Sequence, residues 1–98
     1  MDFEFADDDL ERMYYDENAE GGDPGGIVKR FRKVMSWIDG AADERDLYEL
    51  KSLHFEKLKG KRKHQRSLKI NDQWRLIVEI VGEHPQKRIR VIGIEDYH

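Results

Sequence analysis

Two groups of side chains in this sequence have the types and spacing needed for chemistry on a phosphodiester. A run with only basic charges extends from Lys57 to Lys69, and an isolated arginine, Arg75, follows it. The sequence ends in Asp96-Tyr97-His98, which combines a carboxylate, a phenol and an imidazole. Cleavage of RNA by its own 2′-hydroxyl requires a base, an acid for the leaving 5′-oxygen, and cations that stabilise the phosphorane. The two groups together could supply all of these functions.

Other common catalytic chemistries find little support in the sequence. It contains no cysteine, which excludes thiol nucleophiles and disulfide bonds. The four histidines are not placed at the spacing of metal ligands. The Gly25-Gly26 pair lacks the lysine and hydroxyl residue of a phosphate-binding loop, and no serine lies in a nucleophile motif. We therefore expect neither a metal nor another cofactor.

The distribution of charge favours a polyanionic partner. The net charge of −3 conceals an acidic first half and a basic second half. The basic run is typical of a nucleic-acid-binding surface, although lysines of a solvated loop or a protected sheet edge give the same pattern. No apolar segment approaches the length of a membrane span or of a signal-peptide core. We expect a cytoplasmic protein with no membrane partner.

The first half of the chain predicts one strand followed by helices. Phe3 and Phe5 alternate with acidic residues, as in a short strand, and a helix is expected around Leu10. A second helix is predicted to end near Gly40, because apolar residues recur at helical spacing: Ile27, Val28, Phe31, Val34, Met35 and Ile38. Asp43 is a candidate N-cap for a short third helix.

From Lys51 onward the apolar period changes from that of a helix to that of a strand. The expected strands are Leu53–Glu56, Ser67–Ile70, Trp74–Val81 and Lys87–Ile94. The third of these is nearly all apolar, which predicts a central strand covered on both faces. The fold class is therefore α+β, with an N-terminal strand and two to three helices packed on a C-terminal antiparallel β-meander. The length fits a single domain, 1–98.

Three motifs resemble one known family. Leu58-Lys59-Gly60, the segment Ser67–Arg75 and the terminal Glu95-Asp96-Tyr97-His98 are similar to the HigB branch of the RelE/ParE toxin superfamily. The similarity covers roughly residues 50–98, and the preceding helices agree in order only. It implies the RelE-like microbial RNase fold and ribosome-dependent cleavage of mRNA, which inhibits translation. It also implies neutralisation by a cognate antitoxin, with operator DNA bound only through the toxin–antitoxin complex.

The resemblance also implies roles for individual residues. Lys59 would contact phosphate and Arg75 would stabilise the transition state, while Tyr97 and His98 would act in acid–base catalysis or stacking. Asp96 would orient or polarise the two terminal side chains. Further RNA contacts are expected from basic residues of the run: Lys57, Lys61, Arg62, Lys63 and Arg66.

Several alternatives remain open at this level. Lys59 could be an ordinary turn lysine, Arg75 could pair with Glu79, and His98 could be a frayed terminus. Glu56 and Glu95 lie beside the expected site, where negative charge would oppose phosphate binding. A ParE-like protein would poison DNA gyrase without RNA chemistry. A third alternative is a non-toxic member of a DNA-binding regulatory complex.

Overall fold

A computed structural model describes residues 1–16, 18 and 26–96. Tyr97, His98 and most of the glycine-rich segment before the second helix lie outside the described residues. The described elements follow the order β1 (Phe3–Phe5), α1 (Asp8–Tyr15), α2 (Ile27–Gly40), α3 (Glu44–Glu49), β2 (Glu56–Lys57), β3 (Gln65–Lys69), β4 (Trp74–Val81) and β5 (Arg88–Asp96). Two single-turn 3₁₀ segments, Lys51–Leu53 and Gly60–Arg62, flank β2. None of the described helices is long and apolar enough to cross a membrane.

Within the described residues the strands form one sheet in the order β1-β5-β4-β3-β2. Strands β2 to β5 make an antiparallel meander, and β4 is the central strand of the five-stranded sheet, as the apolar sequence predicts. β1 pairs in parallel with β5, placing Phe3 opposite Ile89. Glu4 reinforces this edge by accepting hydrogen bonds from Arg88 and Arg90, which lower the pKa of its carboxyl group. The α+β class is confirmed.

One face of the sheet packs against the helices and forms the core. The predicted apolar stripe of α2 supplies Phe31, Met35 and Ile38, all fully buried. They belong to the same cluster as Leu76 and Val78 of the central strand. Burial of each such side chain contributes about 1.5–3 kcal/mol relative to exposure. Packing between α2 and the meander therefore fixes the position of the sheet on which the candidate site is built.

The opposite face of the sheet, here called the outer face, carries the side chains that alternate with the core residues. Ser67, Arg75 and Ile77 belong to it, yet all three are buried. They share a small pocket with Leu58 and with Arg62 of the second 3₁₀ turn. The basic segment after β2 therefore folds over this part of the sheet. This explains why consecutive residues at the start of β4 are buried on both faces, as predicted.

The strand predicted at Leu53–Glu56 is wrong. Leu53 ends a 3₁₀ turn, His54 has a left-handed backbone with φ of 47°, and β2 begins only at Glu56. Leu53 and Phe55 are nevertheless buried, as expected. Two apolar residues around a left-handed residue can both face the core without belonging to a strand, so the alternating pattern indicated burial correctly and backbone conformation incorrectly.

The turn between β4 and β5 gives a direct test of backbone strain. Gly82 has φ of 82°, and a Cβ atom there would lie 2.7 Å from the carbonyl oxygen of Gln86. Because both the dihedral angle and the contact oppose a side chain, we expect Gly82→Ala to lower the free energy of unfolding by about 1–3 kcal/mol. Urea unfolding measures this. Gly40→Ala, where no atom lies within 4 Å of the position that the new methyl group would take, is the control and should not destabilise the protein.

Candidate active site

A cleft of about 160 Å³ opens on the outer face of the sheet. The side of the cleft away from the sheet is formed by the basic segment after β2. Strands β3, β4 and β5 contribute the remaining lining, near the end of the sheet where β5 finishes. The residues lining it are Leu58, Arg62, Ser67, Arg75, Ile77, Glu95 and Asp96. This cleft brings together residues from three of the segments singled out in the sequence.

Arg75 provides a cation fixed by the central strand. It lies directly opposite Lys69 of β3 and Glu95 of β5, so these three side chains share the outer face. Glu79, considered as its partner from the sequence, instead lies opposite Gln65 and Arg90. Arg75 is only 9% exposed. A guanidinium held in a largely water-excluded strand needs little reorganisation to stabilise charge developing beside it.

Arg62 extends across the cleft to Glu95. Its Nη1 and Nη2 atoms donate to the two carboxylate oxygens of Glu95 at 2.8 and 2.6 Å. Its Nε atom donates to Oε1 of Gln65 at 2.8 Å, so the guanidinium plane is fixed at three points. The hydrogen bonds with Glu95 raise the pKa of Arg62. This paired arrangement is also the geometry in which arginine binds a phosphate.

Glu95 lines the cleft, in agreement with its predicted place beside the expected site. Its charge, which the sequence predicts to oppose phosphate binding, is paired in the structure with Arg62. Both side chains remain nearly half exposed, at 44% for Arg62 and 46% for Glu95, so an anionic ligand can reach them. Sequence reasoning did not identify this pair, because the two residues are 33 positions apart. Only the strand register brings them together.

Lys59 directly follows Leu58, which lines the cleft, so its backbone lies at the rim of the cleft. It directly precedes the 3₁₀ turn Gly60–Arg62, and its carbonyl oxygen accepts from the amide of Arg62 at 3.3 Å. Its side chain is exposed and makes no ion pair with another described residue. Lys59 is therefore an exposed cation at the start of the turn that carries Arg62.

The remaining basic residues do not form one continuous surface. Lys61 and Lys63 are exposed on the segment that covers the outer face. Lys57 of β2 lies opposite Arg66 of β3 in the strand register. Arg66 donates from Nε to the hydroxyl of Tyr48 in α3 at 3.1 Å. Arg66 therefore points toward the helices. The basic run predicted as one RNA-binding group is divided between the two sides of the sheet.

Asp96 ends β5 beside the cleft. It lies opposite Trp74, and its Oδ2 atom accepts from the side chain of Gln73 at 3.3 Å. Tyr97 and His98, the other two residues expected from the terminal motif, follow it but lie outside the described residues. In the part of the chain that the structure describes, no three acidic or histidine side chains are grouped as metal ligands.

Solved toxin structures share this fold. The YoeB/ParE toxin from Agrobacterium tumefaciens superposes with a TM-score of 0.62 at 15% identity, with both chains covered completely. YoeB in the YoeB–YefM complex from Staphylococcus aureus gives 0.58 at 20% identity, covering 100% of this chain and 97% of that one. A mutant of YafQ from E. coli gives 0.60 at 14% identity, covering 98% and 92%. The fold is that of RelE-type toxins.

The sequence then defines the family within that fold. Residues 3–89 match the family model of the RelE-like toxin of the type II toxin–antitoxin system HigB. This chain therefore belongs to the HigB-like toxin family, as its motifs predict. The match includes Lys59 and Arg75 and ends before the terminal motif Glu95–His98. No curated protein matches the sequence.

Proposed function

We propose that this chain, acting as one domain, is the toxin of a type II toxin–antitoxin pair and an endoribonuclease that cleaves mRNA on the ribosome. The observation that carries the proposal is the cleft on the outer face, where Arg62 and Arg75 converge beside the end of β5. Membership of the HigB-like family supports it, because the cleft lies on a fold shared with RelE-type toxins. Glu95 and Asp96 balance the charge of the two guanidiniums, and the guanidiniums supply the planar donors that a phosphodiester requires.

The proposed reaction is an internal transesterification. The 2′-oxygen of the RNA forms a bond to the adjacent phosphorus while the bond from phosphorus to the 5′-oxygen breaks. A base takes the proton of the 2′-hydroxyl and an acid returns a proton to the 5′-oxygen, leaving a cyclic phosphate and a 5′-hydroxyl. Arg75 and Arg62 stabilise the charge of the phosphorane, and Lys59 contributes from the rim.

The terminal motif supplies the acid–base groups in this proposal. The structure describes Asp96 at the edge of the cleft, and Tyr97 and His98 are its immediate neighbours in the sequence. Both a phenol and an imidazole can transfer protons, and either ring can stack on a base. We assign acid–base chemistry to Tyr97 and His98, with Asp96 as the residue that positions them.

A cognate antitoxin is the expected protein partner. One of the solved structures with this fold is a YoeB–YefM complex, and the family is that of a toxin–antitoxin system. We propose that this chain likewise acts in the cytoplasm, where its antitoxin neutralises it, and that it reaches operator DNA only through that complex. The ribosome and mRNA are the targets when the antitoxin is absent.

The decisive experiment is induction of this chain without an antitoxin, followed by primer extension of cellular mRNAs. We expect growth arrest and new 5′-ends inside translated codons, with neither seen for His98→Ala. Arrest with DNA damage signalling and no cleavage would instead indicate ParE-like poisoning of gyrase. A folded protein that causes no arrest would indicate the non-toxic regulatory alternative.

Lys59 and Lys57 make a matched pair for testing the rim of the cleft. Both are exposed lysines two positions apart, but only Lys59 starts the turn that carries Arg62. We expect Lys59→Ala to lower the rate of mRNA cleavage about tenfold, since it removes one solvated cation from a phosphate site. Lys57, which the sequence predicts as an RNA contact, shares its face of the sheet with Arg66 and does not line the cleft, so Lys57→Ala should remain within about twofold of the original rate. Equal losses in the two variants, measured by single-turnover cleavage on programmed ribosomes, would contradict this assignment.

A further inference from the structure

A second concave surface lies between α2 and the turn that joins β3 to β4. It has a volume of about 480 Å³ and is here called the hairpin groove. The residues that matter for its chemistry are Arg30, Lys33, Trp37, His54, Lys69 and Asn71. None of the functional assignments made above uses α2 or this groove.

The charge of the hairpin groove is predominantly positive. Arg30 and Lys33 project from α2, are exposed, and form no ion pair with another residue in the described part of the chain. Lys69 contributes a third cation, paired with Asp72 at 3.1 Å. In a protein with a net charge of −3, two such cations one helical turn apart form a local site for an anion.

Among the described residues, Trp37 supplies most of the exposed apolar surface of the hairpin groove. Trp37 is 42% exposed, whereas the other apolar lining residues, Val34, Leu53 and Ile70, are at most 5% exposed. A helical peptide partner needs a continuous apolar groove, which is lacking among these described residues. One exposed indole beside two cations instead matches the requirements of a nucleotide, whose base stacks and whose phosphate pairs with basic side chains.

The hairpin groove lies on the helical side of the sheet and the cleft on its outer face, and the turn that joins β3 to β4 lies beside both. Lys69, which lines the groove, lies directly opposite Arg75, which lines the cleft. The turn between them is stabilised by Asn71, whose Oδ1 accepts from the amides of Gln73 and Trp74 at 2.8 and 2.7 Å. Gln73 in turn donates to Asp96 at the edge of the cleft. One short turn therefore separates the two surfaces.

We propose that the hairpin groove is a second binding subsite for single-stranded RNA, occupied by the same strand whose scissile phosphate lies in the cleft. A base of the strand stacks on Trp37, and the adjoining phosphates pair with Arg30 and Lys33. The inference rests on the proposed ribonuclease function. It adds to that function a subsite that lengthens the RNA contact beyond the cleavage point.

The length of the bound RNA provides the test. Uniformly 2′-O-methylated RNA lacks the nucleophilic hydroxyl, so binding can be measured without cleavage. A trinucleotide is long enough to place a phosphate in the cleft, while an RNA of about twelve nucleotides is long enough to reach the hairpin groove as well. At low ionic strength we expect the original protein to bind the longer RNA at least about tenfold more tightly than the trinucleotide.

Lys33 and Lys29 provide the matched variants for this test. Both are exposed lysines of α2, but only Lys33 lines the hairpin groove. We expect Lys33→Ala to weaken binding of the longer RNA about threefold to tenfold and to reduce the salt dependence by about one phosphate contact. Lys29→Ala should change neither quantity, and trinucleotide binding should be unchanged in both variants.

Trp37 gives an independent reading of the same subsite. We expect the longer RNA, and not the trinucleotide, to quench the fluorescence of Trp37, and Trp37→Ala to abolish this quenching. Because Trp74 lies opposite Asp96 at the edge of the cleft, its own response to RNA is measured in the Trp37→Ala variant and subtracted. The same variant should bind the longer RNA about fivefold or more weakly, as expected for loss of one stacked base. Thermal unfolding of each variant, compared with that of the original protein, tests whether the fold is retained.

Three results would overturn the proposal. The first is equal binding of short and long RNA by the original protein, and the second is an equal effect of Lys33→Ala and Lys29→Ala. The third is a Lys33→Ala variant that binds RNA normally and binds the antitoxin weakly, which would mean that the groove contacts the antitoxin. Any of these results, obtained with a protein that still cleaves mRNA, would refute the second subsite and leave the proposed ribonuclease function intact. Absence of both cleavage and RNA binding in the original protein would refute the proposed function itself.

Discussion

Arg75→Ala is expected to lower the rate constant for mRNA cleavage by about 10²- to 10³-fold, the usual cost of removing one preorganised donor from a transition state. The physical reason is its position. The central strand holds the guanidinium at 9% exposure, and it lines the cleft beside Glu95. Arg75→Lys keeps the charge but loses the planar fork of donors, so we expect a loss of about tenfold to 10²-fold.

The way in which the kinetic constants change identifies the role of Arg75. Removal of a contact made in the transition state lowers kcat and kcat/KM equally, whereas loss of ground-state binding raises KM. Arg90→Ala is the matched control, because Arg90 is also a strand arginine of the outer face but pairs with Glu4 away from the cleft. It should remain within about threefold of the original rate. Comparable rates for the Arg75 and Arg90 variants would show that Arg75 is structural.

The pair formed by Arg62 and Glu95 gives the second large effect. A phosphate that enters the cleft must take the two donors of Arg62 that now bind Glu95. We therefore expect Arg62→Ala to lower kcat/KM by about 10²-fold. Glu95→Gln removes the competing charge and should tighten binding of uncleavable RNA by about threefold to tenfold, a modest gain because both side chains are partly solvated.

A double-mutant cycle separates competition at Arg62 from a general effect of charge. If Glu95 acts through Arg62, Glu95→Gln should change RNA affinity little once Arg62 is already alanine. Glu56→Gln is the control, since Glu56 is an exposed acid of β2 that does not line the cleft. An equal gain from Glu95→Gln with and without Arg62 would mean that it merely lowers the negative charge near the RNA.

The local pattern of the sequence was sufficient to predict most of the individual elements. The stripe on α2 and the apolar run of β4 predict burial directly, because each periodicity places side chains on a fixed face. The cap at Asp43 is confirmed by its acceptance of the Arg45 amide at 2.9 Å. The strand predicted at Leu53–Glu56 is wrong because an alternating apolar pattern indicates which side chains are buried and not which backbone conformation buries them. At this position the left-handed backbone of His54 allows the apolar residues on either side to face the core without a strand.

The candidate site could be predicted only in part. The motifs identify Lys59, Arg75 and Asp96 by type and spacing, and the structure places Arg75 and Asp96 in the cleft with Lys59 at its rim. The sequence treats the basic run as one group, but β-pairing turns Arg66 toward α3 and leaves Arg62 over the cleft. Neighbouring positions of a strand face opposite sides, so a continuous run of charge cannot remain one surface once it pairs.

The sequence by itself determined the class of elements, the central position of β4 and the family, since these depend on local periodicity and motifs. Only the tertiary structure decided the parallel pairing of β1 with β5, the pairing of Arg62 with Glu95, and the closeness of the hairpin groove to the cleft. Each of these joins residues far apart in the chain. Their contact depends on strand register and on the packing of α2, which no local pattern specifies.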